Sequence, residues 1–502
     1  MFGRDSSAPL LNRGPRSAIS KALTYKMSKV PRSNVEASTV VDDSHISVPE
    51  RTARGHAARQ AVPRTEHAAW SPPSSRRDPV ALLDEQNRAR VPWLVPIRHG
   101  RMMASPLAFY RGAARIMAAD LAAATPSSGL LVQTCGDAHL ANFGVYASPE
   151  RQLVFDINDF DETLPGPWEW DVKRLATSFM IACRQRRLDK ATRESITKQA
   201  VAGYRTGMRQ AAAMPTLDVW YEHLTAEKLL KAAEWSQRPA RHKVAHVEQR
   251  ARARDSLHAL NTLAVEDNGR FHIRSDPPVL LPLREIPEIG DPATVLASVQ
   301  ATYDSYTRTI GDDRRVVLDR FRPIDVAQKV VGVGSVGTRC FIMLLEGRDR
   351  DDPLFLQVKE AGPSVLEEYL GPSRYANHGQ RVVEGQRLTQ AVSDILLGWT
   401  RHDLAGVDYY VRQLRDWKGS VDVSHLTPHQ AAGYAYLCGW TLARGHARSG
   451  DSVALAAYMG RSDVFDRAVT AFAASYAHQN DADYAAFTAA IREGRLAATP
   501  GR

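Results

Sequence analysis

Cys135-Gly136-Asp137-Ala138-His139-Leu140-Ala141-Asn142, followed by Leu153-Val154-Phe155-Asp156-Ile157-Asn158-Asp159-Phe160-Asp161-Glu162, is the stretch on which the fold turns. Short β-branched and aromatic runs predict strands at Leu130–Gln133, Phe143–Tyr146 and Leu153–Ile157, the last two joined by the turn Ala147-Ser148-Pro149-Glu150-Arg151. The two motifs therefore fall on loops at one end of a hairpin. Asp156, Asp159, Asp161 and Glu162 put four carboxylates within seven residues, which repel unless a cation or basic groups neutralise them. A metal site accounts for that density. A lone D-x-x-x-x-N is a weak signal, and turn residues on a solvated loop are its plain alternative.

A second constellation lies some two hundred residues on. Lys329–Val333, Arg339–Leu345 and Leu354–Lys359 read as a three-stranded meander. Its first turn is Gly332-Val333-Gly334-Ser335-Val336-Gly337, a G-x-G-x-x-G shared by two unrelated nucleotide folds. In a Rossmann unit those glycines open a helix, whereas here a strand follows. Gly332, Gly334, Ser335 and Gly337 would let the backbone close over phosphates and turn amide N–H groups toward them. Lys359 ends the third strand. Such a lysine, seen alone, is usually a snorkelling surface residue, but its place after a Gly loop argues for a phosphate partner.

Together these residues carry a resemblance. Asp137 and Asn142 have the spacing of the kinase catalytic loop, and Gly136, Asp137, His139 and Asn142 match the H-G-D-x-H-x-x-N of the aminoglycoside phosphotransferase branch, with Cys135 replacing the leading His. Trp170-Asp171-Val172-Lys173-Arg174-Leu175-Ala176 resembles that branch's D-L-A helix start, and counting back twelve residues lands on Asp159. The resemblance implies ATP and Mg2+ as cofactors, Asp137 and His139 in the catalytic loop, and Asn142 and Asp159 on magnesium, with Asp156 as second choice because it ends the strand. It implies Lys359 on the phosphates, Glu384 as its helix partner with Glu367 and Glu368 as rivals, and Tyr409–Leu414 as the hinge strand beside adenine. Because the catalytic loop precedes the Gly loop, the expected fold is α+β, a two-lobed kinase-like fold in circularly permuted order. Leu130–Ala176 and Lys329–Ala447 should then meet, with Lys359 facing Asp159 or Asp156. A small lobe upstream is the rival, but residues 78–129 offer helix without a Gly–strand–Lys pattern. From about Pro63 onward the chain resembles the domain-of-unknown-function 2252 family, most closely at Ser105–Gly112, Cys135–Asn142, Asn158–Asp171, Lys329–Lys359 and His446–Asp451.

The rest of the 502 residues bounds this reading. With 44% hydrophobic and 24% charged residues and no apolar run near the ~18 residues needed to cross a bilayer, the chain reads as cytoplasmic with no membrane partner. Cys135, Cys183, Cys340 and Cys438 lack metal-finger spacing and read as reduced thiols. Residues 1–80 hold 13 Lys and Arg against 7 Asp and Glu, so most of the net charge of +9 is there. Residues 1–65 are expected as a disordered basic leader, the only plausible route to nucleic acid. A helical lobe with the catalytic loop is expected over 66–320, a small β-rich nucleotide lobe over 321–420 and a helical return over 421–502. Helices are expected at Pro106–Ala124, over much of Trp170–Ala264, at Pro292–Ile310, at Gln380–Leu397, and from Thr427 to about His446, where Thr427, Pro428 and Gln430 make a start signal. Further helices should fill Val453–Arg495. The functional expectation is phosphoryl transfer from ATP to an unknown acceptor, a small molecule rather than a protein. Nucleotidyl transfer and non-catalytic nucleotide binding are the alternatives. His446 and Asp451 suggest acid–base chemistry, against the commoner role of helix-end residues in capping or packing.

Overall fold

The computed structural model describes residues 46–225, 256–286, 292–330, 332–402, 406–414, 417 and 419–499. All belong to one compact unit, Ile46–Arg502. The proposed leader over 1–45 and the helical reading of 226–255 lie outside the described residues.

The fold is mixed α+β with several sheets. Its first helix, Val48–Ala61, corrects the expectation of disorder through residue 65. Ser47 and Glu50 form a reciprocal capping box with Pro49 in the first turn. Gly55 packs so closely on the helix Ser452–Met459 that a Cβ would sit 2.2 Å from Ala454 O. Arg51 pairs with Asp451 at 2.7 Å, and Arg64 donates to Met459 O. This helix is held by Gly55 and Arg51, with Arg64 anchoring the turn after it, rather than by an apolar stripe, so hydrophobic periodicity gives no sign of it.

Strand β1 (Leu131–Thr134) leads to β2 (Phe143–Ala147) and β3 (Leu153–Ile157), while β4 (Leu164–Pro167) returns to pair with β1. The hairpin β2–β3 is buried throughout, and β5 (Leu224–Thr225) pairs with β3. The helix Trp168–Gln185 packs beneath them and, with Lys190–Ala212, Pro428–Ala447 and Val464–Arg492, encloses the largest apolar core. The capping box of Thr427 and Gln430 forms as expected. The stretch 106–124 is two helices, Pro106–Gly112 and Ala114–Ala124, broken at Ala113.

A hairpin of β6 (Ala264–Asp267) and β7 (Arg270–Ile273) precedes a six-stranded sheet built from β8 (Leu280–Pro282), β9 (Arg322–Lys329), β10 (Cys340–Glu346), β11 (Pro353–Ala361), β12 (Gly398–His402) and β13 (Val407–Gln413). The order is β12-β13-β11-β10-β9-β8, all antiparallel, and β14 (Gly419–Ser420) pairs with β2. The meander's first strand is Arg322–Lys329 rather than 329–333: beyond Lys329 the chain leaves the sheet, and Val330 packs against Leu94 and Ile97. Likewise 380–397 is not one helix. His378–Thr389, capped by Asn377, ends at Gln390, and the edge strand β12 follows.

Both faces of this sheet are covered. Directly paired residues share a face, so Lys359 and Gln357 lie with Cys340, Ile342, Tyr410 and Arg412. Further along that face Ala327, Ile342, Leu344, Phe355 and Leu414 pack against Ala259, Leu260 and Leu263 of the helix Ser256–Leu263. The opposite face packs on Tyr303, Tyr306 and Leu318.

Candidate active site

The loop between β1 and β2 is fixed from below. Gly136 adopts φ +76°, and a Cβ there would lie 2.3 Å from Glu162 O, so only glycine fits. The amides of Cys135 and Gly136 donate to the two carboxylate oxygens of Asp171, at 2.7 and 3.0 Å, from the first turn of the helix Trp168–Gln185. His446, fully buried, sets its Nε2 3.1 Å from Asp171 Oδ2 and its Nδ1 2.9 Å from Tyr204 OH. His446 is thereby a positioning residue for the loop, while Asp451 caps the helix Ser452–Met459. Asn142 Nδ2 donates to Asp137 O at 3.2 Å and Asp159 O at 3.0 Å, tying the loop to the end of β3.

Asp137 Oδ1 accepts from Arg174 Nε at 2.5 Å, and the same guanidinium donates to Tyr110 O and lies 4.5 Å over the Tyr110 ring. Oδ2 faces His139, whose Nε2 is 3.8 Å away. Burial, helped by Arg111 and Arg174 and opposed by Asp137, pushes the imidazole down to about 4, so it is neutral near pH 7. Sequence reading missed Arg174, although its place one turn after Asp171 on the same helix face is a usable signal.

The carboxylates after β3 separate into different environments. Asp156 is 1% exposed and ion-paired with Arg444, which also donates to Thr389 O. It is a structural anion paired with Arg444 rather than with Lys359, which corrects its ranking as a metal ligand. Lys359 Nζ lies 2.7 Å from Asp161 Oδ2 and 3.6 Å from Asp159 Oδ1. Tyr410, directly across from Lys359 in β13, donates to Asp161 Oδ1 at 2.7 Å, and Ser335 Oγ donates to Asp161 Oδ2 at 3.3 Å. Burial pushes Asp161 up, but the Lys359 ammonium and the Tyr410 hydroxyl hold it below the usual carboxylate range. Enclosure and the adjacent Asp161 anion push Asp159 up, opposed by Lys359. Burial moves Glu162 up to about 7 although Val365 N donates to it.

Glu384 pairs with Arg387 one turn along its own helix at 3.2 Å and is not the partner of Lys359. Its rivals are also engaged elsewhere, Glu367 beside Arg381 and Glu368 with Arg77 and Arg115. What this helix sends toward the site is Arg381, which donates to the carbonyls of Asp161, Thr163 and Gly362. The Gly loop lies over the acidic loop with its own carbonyls held from outside: Arg101 donates to Gly332 O, Arg90 to Val336 O and Val91 N to Gly337 O. Gly332 and Gly337 take φ +69° and +97°, as a glycine-rich turn requires. The strand expected beside adenine is β13, but Leu414 at its end is buried against the helix Ser256–Leu263.

Both oxygens of Asp161 are engaged. Asp159 is the more exposed of the two, and Asn142, with its amide nitrogen committed, retains its oxygen. Among the described residues no three His, Cys, Asp or Glu side chains gather as a metal set. An all-protein cage is therefore not offered; Asp159, through a carboxylate oxygen, and Asn142, through its amide oxygen, are the residues that would hold magnesium.

Residues 90–490 match the family described as "Uncharacterized protein conserved in bacteria (DUF2252)". The chain belongs to that family. The match spans both halves of the DUF2252 site, from the Arg90 contact with the Gly loop to the helix Val464–Arg492. No curated protein and no solved structure matches the chain. Among the described residues no helix is long and apolar enough to cross a membrane.

Proposed function

We propose that this DUF2252 protein is an ATP- and magnesium-dependent phosphotransferase of kinase-like design, with its site assembled in permuted order, acting on a hydroxyl acceptor that is a small molecule rather than a protein. The observation that carries the reading is that Lys359, from a strand after the Gly loop, reaches Asp161 and Asp159, some two hundred residues earlier, beneath that loop. Phosphoryl transfer asks a protein for positioning and charge neutralisation, and each chain group has a part in that. Arg174 holds Asp137 Oδ1, leaving Oδ2 to accept from the acceptor hydroxyl and orient its oxygen. Asp171 and His446 keep the loop in place through its amides. Lys359 exchanges Asp161 for a phosphate oxygen, and Asp159 with Asn142 would hold magnesium. Magnesium, when bound, neutralises charge on the phosphates.

The helix Ser256–Leu263 fills the apolar face beyond Gln357, so a base beside β13 is admitted only when that helix withdraws. The test is thermal unfolding of the full chain with ATP or GTP and magnesium. A ligand at about 100-fold excess over its dissociation constant stabilises by about 2.7 kcal/mol. Asp137→Asn should keep that shift and lose turnover. No shift with any nucleotide overturns the proposal, and labelled ATP distinguishes phosphate from AMP on the acceptor.

A further inference from the structure

Among the described residues, Arg111 beside this site has a buried Nε with no hydrogen-bond partner. Helix Pro106–Gly112 is firmly set: Ser105 caps it, Tyr110 OH donates to Arg174 O at 2.9 Å, and Arg98 donates to Gly112 O at 2.7 Å. Its Arg111 lies under the Gly loop, where the Arg111 carbonyl would be 3.2 Å from a Cβ on Gly334. The Asp137 and Asp159 carboxylates act electrostatically on the Arg111 guanidinium, which in turn acts on the His139 ring. Among the described residues that guanidinium makes no hydrogen bond or ion pair, and its Nε is buried without a partner. The other arginines here are committed: Arg174 to Asp137, Arg381 and Arg101 to carbonyls, Arg90 to Val336 O, and Arg412 to Gln357 and Asn158 O. Leaving a buried donor of a charged group unpaired is costly, so its retention points to a ligand that completes it.

We infer that Arg111 is the phosphate receptor of this site, its planar fork taking oxygens of a bound phosphate dianion. The fork geometry suits phosphate. Five N–H donors and a fixed charge serve this task better than a lysine would. The inference rests on the phosphotransferase reading for the group's destination, while the chemistry recognised is a phosphate dianion. That dianion comes either from the nucleotide terminus or from a phosphate on the acceptor.

The experiment is calorimetric titration of the full chain with magnesium and, separately, tripolyphosphate, inorganic phosphate, ATP and ADP, for wild type, R111K and R111Q. Wild type should bind tripolyphosphate and ATP, and R111Q should weaken both on the order of tenfold or more, as loss of a charge-assisted hydrogen bond requires. ADP should change less than twofold, and R111K should fall between. If R111Q weakens inorganic phosphate while ATP and ADP are untouched, the receptor serves an acceptor phosphate. If wild type binds tripolyphosphate through Arg111 but no nucleotide, the phosphotransferase reading fails and the receptor stands. Equal binding of every probe by wild type and a folded R111Q, or no phosphate binding by wild type, overturns the inference. Should R111Q not fold, R111K, which keeps the charge and the stem, carries the same comparison.

Discussion

Asp161→Asn should lower the stability of the free protein and raise its affinity for ATP, two effects of opposite sign from one atom. In the free protein Lys359 Nζ sits 2.7 Å from Asp161 Oδ2 and 3.6 Å from Asp159 Oδ1, and is 3% exposed. At an effective dielectric of 20 those pairs are worth about 6 and about 5 kcal/mol of gross attraction. The amide leaves Lys359 with its longer partner only. It keeps an acceptor for Tyr410 but turns an N–H donor toward the ammonium. Relief of the Asp159–Asp161 repulsion returns part of the loss, leaving a net destabilisation of about 2 kcal/mol, below the 3–5 kcal/mol of a fully buried broken pair. Urea unfolding at pH 7 reads it. Because a lysine freed from a competing carboxylate meets phosphate at lower cost, ATP should bind several-fold tighter, about 1 kcal/mol. Unchanged stability would refute the Lys359–Asp161 bond as a structural contact. Affinity falling together with stability would make Asp161 itself a ligand of the bound nucleotide or metal.

Other outcomes follow from the same geometry. His139 titrates near 4 in the folded chain against about 6.5 unfolded, so the unfolded state takes the proton first, and stability falls as pH drops from about 6.5 to 4. The slope should flatten in H139Q, by about 3 kcal/mol over that window in paired unfolding curves. Asp161 acts in the same direction at lower pH: its depressed folded value adds stability that is present above about pH 4 and lost below it, and D161N should not show that loss. Gly136→Ala, with φ +76° and a Cβ 2.3 Å from Glu162 O, should cost well over the ~1 kcal/mol expected of Gly129→Ala, which has φ +74° and open space; thermal unfolding compares them. Leu260→Ala should cost about 2–5 kcal/mol and speed nucleotide association in stopped flow if the helix Ser256–Leu263 gates the sheet face.

How much of this was legible depends on whether the signal was local. The Thr427–Gln430 capping box and the hairpin β2–β3 are written in neighbouring residues, and the structure has them where the sequence puts them. The Lys329–Val333 strand was misplaced because an apolar run packs equally well on Leu94 and Ile97 as in a sheet. The helix Val48–Ala61 escaped because Gly55 and Arg51 dock it, and neither marks a periodic apolar face. In the site, the structure brings Asp137, Asn142, Asp159 and Lys359 to neighbouring positions, a grouping that the resemblance implied and that no single spacing in the chain states. Partners chosen by three-dimensional approach were not legible. Nothing in the order Asp156, Asp159, Asp161 says that the first faces Arg444 and the last faces Lys359, because alternation along a strand end reverses with a single bend. Glu384 fell one turn from where Arg381 points, since helix periodicity defines a face and leaves the residue that reaches across it undetermined.

In the proposed function, Lys359, Asp159 and the Gly332–Gly337 loop form a phosphate site for a nucleotide. Isothermal titration of ATP with magnesium into wild type and Lys359→Met tests it most directly. Wild type should bind saturably and the folded variant should lose tenfold or more; wild type that binds no nucleotide, or a variant that binds as tightly, overturns the proposed phosphate site.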